Sequence, residues 1–232
     1  MVEVPGWAAV SSVSAPVLLI GGWTVAATRQ RGGFDPVRES ISALAGLDAD
    51  DRWLMTAALT GVGLCHLVTA AGLRPAATSG RVLLGLGGAG TLAVAACPLP
   101  ADYGSFAAHG VAAGVAFGAL ACWPVLSTSG PDRSAGPVTR RPAGRRLPFG
   151  LRRPVALAAG GLLLGLLGWF VSQLDGPVLG LSERVAAGAQ ALWPAVVVLT
   201  CLVHRPAAPD DDPATRGDGP SARRLWITPA VE

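Results

Sequence analysis

Apolar residues along this chain neither alternate with polar ones nor keep to a single helical stripe. They gather into six charge-poor blocks, roughly Trp7 to Thr28, Trp53 to Leu73, Val82 to Pro98, Phe106 to Ser127, Val155 to Leu174 and Val185 to Val203. At about 1.5 Å of rise per residue, each block as a helix crosses or nearly crosses a hydrocarbon layer about 30 Å thick. A strand reading fails, because lipid-crossing strands alternate in polarity and close into a barrel, and these blocks are apolar on both parities. The third block is the shortest and ends in Pro98-Leu99-Pro100, where prolines remove helix donors. The expected fold is all-α: a polytopic bundle of six transmembrane helices forming one domain over 1–204. The Arg/Pro/Gly/Ser-rich loop 128–153 is expected to be flexible, and the polar tail 205–232 to be a disordered cytoplasmic end.

The segment between the first two blocks carries its own pattern. Asp35 suits an N-cap, Pro36 the first helical position, and Gly46 a left-handed stop. Val37, Ile41, Leu44 and Ala45 then share one face, so Asp35 to Gly46 is expected to be a short amphipathic helix lying on the outer interface or capping the bundle. Asp48, Asp50 and Asp51 follow, where the dipole of the second spanning helix favours acids.

Composition agrees with a lipid environment. Hydrophobic residues make up 51% of the 232 and charged residues only 14%, against about 25% charged in a soluble domain. All eighteen basic residues are arginine, which allows orientation to be read from one residue type. Thirteen of them fall on one side if both termini share that side, so the positive-inside rule places the termini in the cytoplasm of a cell whose plasma membrane the chain spans. Span 1 alone dissents, having arginines only on its outer flank. It is not expected to be a removable signal peptide, because it has Glu3 in place of a basic leader and a longer apolar block than such peptides carry.

Other polar and small residues have simpler expectations. Cys65, Cys97, Cys122 and Cys201 lie in or at the ends of spans without metal-like spacing and are read as packing residues. Glycines recur every four residues at Gly110, Gly114 and Gly118 and at Gly161 and Gly165. Such stripes let helices approach closely, either inside the bundle or against a second copy in a homo-oligomer. His66 lies about 20 Å below the outer edge of its span and His109 about 6 Å below its own. That separation is too wide for shared coordination at about 2.1 Å per bond, so no metal and no cofactor is expected. His66 is expected to bond a carbonyl or a hydroxyl such as that of Thr69.

A tryptophan-containing first span is followed by Phe-Asp-Pro-Val-Arg-Glu-Ser-Ile-Ser-Ala-Leu at 34–44. Asp-Asp-Arg-Trp then enters span 2, and Cys-Pro-Leu-Pro with a later Ala-Ala-His-Gly leads into span 4. Together these motifs resemble the bacterial family called domain of unknown function 998, over about Trp7 to Val203. The resemblance implies a six-helix integral membrane protein with no settled activity, and suggests that Asp35, Arg38, Ser40, Ser42 and His109 matter.

The outer face supplies the candidate site. Asp35, Arg38, Glu39 and Ser42 lie in the first outer loop and His109 at the top of span 4. Glu183 opens span 6, with Gln190 about 10 Å further in. This set is expected to bind a lipid headgroup or a membrane partner without catalysis. A rival reading is a membrane-embedded hydrolase using His109 with Asp102 or Glu39, since histidine titrates near neutrality. It lacks a nucleophile elbow, an HExxH motif or a P-loop in support. A small-molecule transporter is the third class, disfavoured because no Asp, Glu or Arg lies at mid-span. Nucleic acid is not an expected partner, because the basic charge is juxtamembrane rather than gathered in a folded basic domain.

Overall fold

The computed structural model describes residues 4–101, 106–128 and 147–204. It is built from six helices: α1 (Gly6–Thr28), α2 (Trp53–Gly72), α3 (Thr78–Ala96), α4 (Ala107–Leu126), α5 (Arg153–Ser172) and α6 (Leu179–Val203). Each is long and apolar enough to cross a membrane, and no strand occurs among the described residues. Pro16, Pro124 and Pro194 lie inside helices, a placement that membrane bundles tolerate because neighbouring groups take up the freed carbonyls.

Each helix packs against its neighbours in chain order and α6 returns to α1, closing a ring. Because α6 also touches α2 and α4, it lies toward the centre of that ring, whereas α5 packs only on α4, α6 and the turn that precedes it. One end of the bundle, the loop face, carries segments 29–52, 97–101 and 173–178, with Phe106. The opposite end carries Val4 and His204, the α2–α3 turn, and residues 127–128 and 147–152 that flank α4 and α5. Trp53, Phe106 and Trp169 are exposed near the loop face, and Trp7 and Phe149 near the other, as interfacial aromatic belts are. Between the belts the large exposed side chains are Val, Leu and Ile.

Glycine sets how closely the helices pack, but not through the stripes the spacing suggests. A Cβ on Gly63 would sit 2.8 Å from the Gly88 carbonyl oxygen, and one on Gly90 2.7 Å from the Ala116 backbone nitrogen. The α2–α3 and α3–α4 seams are therefore backbone-on-backbone contacts that no larger residue permits. Gly110, Gly114, Gly118, Gly161 and Gly165 have nothing within 4 Å of such a Cβ, so they do not pack the bundle and face lipid or a second chain.

Several local expectations need correction. The third helix starts at Thr78 rather than 82 and ends before Cys97, so it gains at its N-terminus what the prolines deny it later. Helix α6 starts at Leu179, not 185, because Glu183 and Arg184 find partners inside the protein and need not remain in water. Segment 35–46 is not one continuous helix. A single turn over 36–38 breaks near Ser40 and a 3-10 turn follows at Ser42–Ala45, since α6 captures backbone groups that a continuous helix would have used internally. Gly46 is extended (φ −61°, ψ 163°) rather than left-handed. Three members of the expected apolar face point inward, with Ile41, Leu44 and Ala45 buried against α1 and α2, whereas Val37 is exposed because the break near Ser40 turns it away from them. The end of the 128–153 loop is docked: Phe149–Leu151 forms a 3-10 turn, Leu151 is buried, and Gly150 N–H donates to Thr200 Oγ1 at 3.3 Å. Residues 129–146 of that loop and the tail 205–232 lie outside the described residues.

Candidate functional site

The first turns of α6 hold the loop face together. Glu183 and Arg184 are adjacent, so about 100° of helical turn separates their side chains and sends them to different partners. Arg184 reaches the α1–α2 loop, where its Nη1 donates to Pro36 O (2.9 Å) and Glu39 O (2.8 Å), and also to Gly180 O (2.9 Å). Its guanidinium lies 5.9 Å from the Trp23 ring centre and 5.3 Å from that of Phe34, within cation–π range. Glycine is required at 180 because a Cβ there would run into the Glu39 carbonyl oxygen. Leu181 N–H completes the seam by donating to Val37 O at 3.0 Å.

Glu183 turns inward and is 4% exposed. Its carboxylate accepts from Ile41 N–H (2.5 Å) and, at a longer 3.5 Å, from the Ser42 hydroxyl. A carboxylate offers about four acceptor positions, so these donors leave capacity for more.

Beneath it lies a cavity on the bundle axis, with about 60 Å³ open to water-sized molecules. Its wall is contributed by α1, the 35–46 segment, α2, α3, α4 and α6. Most of it is apolar, with polar side chains only at Ser42, His66, Thr91, Glu183 and Gln190. Gln190 is 1% exposed and donates from Nε2 to Phe117 O at 3.1 Å. Thr91 Oγ1 donates back to Gly87 O at 2.9 Å.

His66, also 1% exposed, has no hydrogen-bond partner on either ring nitrogen. The expected bond to Thr69 is absent because Thr69 Oγ1 pairs with Ser11 Oγ at 2.9 Å across the α1–α2 seam.

Of the residues singled out from the sequence, Ser42, Glu183 and Gln190 meet on this cavity, whereas Asp35, Arg38, Glu39 and His109 are not part of its wall. Asp35 Oδ1 accepts Val37 N–H at 2.9 Å, and Glu39 Oε1 accepts Asp35 N–H at 2.7 Å. Both acids thus shape the loop turn. Arg38 forms an exposed contact with Asp35 at 3.6 Å, worth little in water. His109 places Nδ1 2.7 Å from Cys97 O; a carbonyl only accepts, so Nδ1 carries the proton and ties α4 to the end of α3. Asp102 lies outside the described residues.

His66 and Thr91 are the polar wall residues that the sequence reading did not assign to the site. A signal for the site did exist: Glu183, Ala187, Gln190 and Ala191 share one face of α6 at helical spacing, and Leu59, Val62 and His66 share one face of α2. What the sequence withheld is that the two faces look at each other.

The family model described as "Protein of unknown function (DUF998)" matches residues 13–200, from the second turn of α1 to the last turn of α6. No curated protein and no solved structure matches the chain.

Proposed function

The chain belongs to the DUF998 family of proteins of unknown function, and from that premise we propose that it binds a small ligand inside its helix bundle. It is a multi-pass integral membrane protein without a recognised activity. The proposed ligand carries a primary ammonium or a similar donor-rich head, presented either by a membrane lipid or by a free amine.

The observation that carries this reading is the Glu183 carboxylate, buried at the head of an axial cavity with Ile41 N–H and the Ser42 hydroxyl as its donors. Burying a carboxylate is expensive unless a cation or further donors meet it. Its neighbour Arg184 gives Nη1 to loop carbonyls and makes no hydrogen bond to the carboxylate, its Nη2 being buried without a partner. A head group entering from the loop face meets Glu183 first, then Gln190, while apolar wall residues receive its carbon atoms. The available space accommodates a head of a few heavy atoms rather than an acyl chain, so a lipid would bind with its tails outside.

Orientation belongs to the same proposal. By sequence, thirteen of the eighteen arginines fall between α2 and α3, between α4 and α5, at the start of α3 or α5, or after α6, which supports a cytoplasmic position for that side of the plasma membrane and an outward-facing site.

The test uses the full chain in phosphatidylcholine nanodiscs, with thermal unfolding as the readout. One arm adds ethanolamine to the buffer, and the other adds phosphatidylethanolamine to the disc. A ligand present at 100 times its Kd stabilises by about 2.7 kcal/mol. Wild type should be stabilised in one arm, which identifies the source, and Glu183→Gln should lose that gain. No gain in either arm, or an undiminished gain in Glu183→Gln, would refute the proposal.

A further inference from the structure

The inner end of the same cavity carries a group that the amine-binding reading does not use. His66 is fully enclosed, both of its ring nitrogens lack a partner, and it stands on the cavity wall. A buried polar group without a partner costs about 1–3 kcal/mol. The space beside it is large enough to hold the missing partner.

We propose that a file of water fills this cavity and makes His66 a proton-accepting site, reached from the loop face alone, about two thirds of the way along α2. The proposal shares the cavity with the binding reading but does not require that an amine bind there.

Two magnitudes agree on the file. A water needs about 10–15 Å³ of such space, so 60 Å³ holds about four to six. Glu183 lies about 6 Å along α6 from its first residue and His66 about 20 Å along α2 from its own, leaving an axial gap of about 14 Å. Waters spaced at the usual O–H···O separation of about 2.8 Å bridge that gap with about four molecules.

The polar side chains are arranged to support such a file. Ser42 and Glu183 line its end nearest the loop face, Thr91 and Gln190 lie along its length, and His66 lies at its inner end. Glu183 of α6 is the one charged or titratable group besides His66 on this wall. Elsewhere α1 contributes Leu19, the loop Ile41 and Ser42, α3 Thr91 and Val94, and α4 alanines with Phe117 and Leu120.

Access is one-sided because the opposite half of the bundle is closed by Leu84, Leu120, Trp123, Leu151 and Val197, all buried in one apolar cluster. A proton passed along the water file forms an N–H bond at the free imidazole lone pair, leaving imidazolium, and the water that delivered it is restored by its neighbour. With no onward acceptor on the wall, the same proton leaves by the same route.

The experiment is solid-state NMR of the full chain in phosphatidylcholine bilayers, with 15N-labelled histidine and magnetisation transferred from water. The His66 signal is assigned by its loss in His66→Asn. In wild type, transfer from water to the His66 nitrogens is expected, and the signal should move between neutral and charged imidazole as buffer pH is lowered. Ala187→Leu places a larger side chain on the wall between Glu183 and Gln190, and should abolish the transfer while the fold persists; Ser42→Leu at the end nearest the loop face serves if that variant does not fold. A wild-type His66 with no transfer from water overturns the proposal. So does transfer undiminished in a folded blocking variant, because water then arrives by another route. A wild type that shows this transfer but gains no thermal stability from ethanolamine or phosphatidylethanolamine would sink the binding reading alone, and one stabilised without transfer would sink the water-file reading alone, so the two failures are distinguishable.

Discussion

Replacing Gly88 by alanine should force α2 and α3 apart. A Cβ on Gly88 would lie 2.7 Å from the Gly63 carbonyl oxygen, 3.0 Å from His66 Cβ and 3.1 Å from the Leu67 nitrogen. The shortest of these falls short of ordinary 3.4 Å contact by about 0.7 Å, and two of the three atoms are backbone. No rotamer change relieves a backbone clash, so the helices themselves must shift. Overpacking costs about 1–3 kcal/mol, and a clash with two backbone atoms belongs at the upper end, about 2–3 kcal/mol, of which the better helix propensity of alanine returns about 1 kcal/mol. The net expectation is a loss of about 1–2 kcal/mol. Gly114→Ala is the matched control, because nothing lies within 4 Å of its Cβ and only the propensity gain remains. The assay is reversible unfolding of the full chain in mixed micelles by added dodecyl sulfate, followed by tryptophan fluorescence. The two variants should move in opposite directions and differ by about 2–3 kcal/mol. Equal stability of Gly88→Ala and wild type, or an equal loss in Gly114→Ala, would show that the seam is not held by backbone contact.

Arg184→Met keeps the apolar stem but leaves Pro36 O and Glu39 O without their donor. Amide exchange over 35–46 should then rise and stability fall by about 1–3 kcal/mol, and unchanged exchange would mean that the latch is idle. For sidedness, a reporter active only in the cytoplasm should be active when fused after Glu232 and silent when inserted in the loop between Arg31 and Phe34. The reverse pattern would invert the proposed orientation.

The fold was legible where a single physical effect decided it. Six stretches without charge can be satisfied in lipid only as helices, so their number and approximate positions followed from the chain alone. Boundaries failed where tertiary partners entered. The start of α6 was missed because Glu183 and Arg184 look like groups that must stay in water, and in the bundle they bind the loop backbone instead. The loop turned inward at Ile41, Leu44 and Ala45 as its apolar positions indicated, yet it is not a helix, because Leu181 and Arg184 take carbonyls that a helix would have used. The regular glycine stripes were visible but point outward, while the glycines that set the seams, Gly63, Gly88 and Gly90, follow no single spacing. Which face a glycine shows depends on where the neighbouring helix lies.

Sequence alone therefore determined the medium, the helical class and the presence of acidic and amide groups on one face of the last span, since each depends only on residues close together along the chain. The tertiary structure decided that Glu183 and Gln190 of α6 share a cavity with His66 of α2 and Thr91 of α3, and that His109 instead ties α4 to the end of α3. Residues so distant in sequence meet only after the helices choose their rotations, and those rotations are set by packing that involves every helix at once.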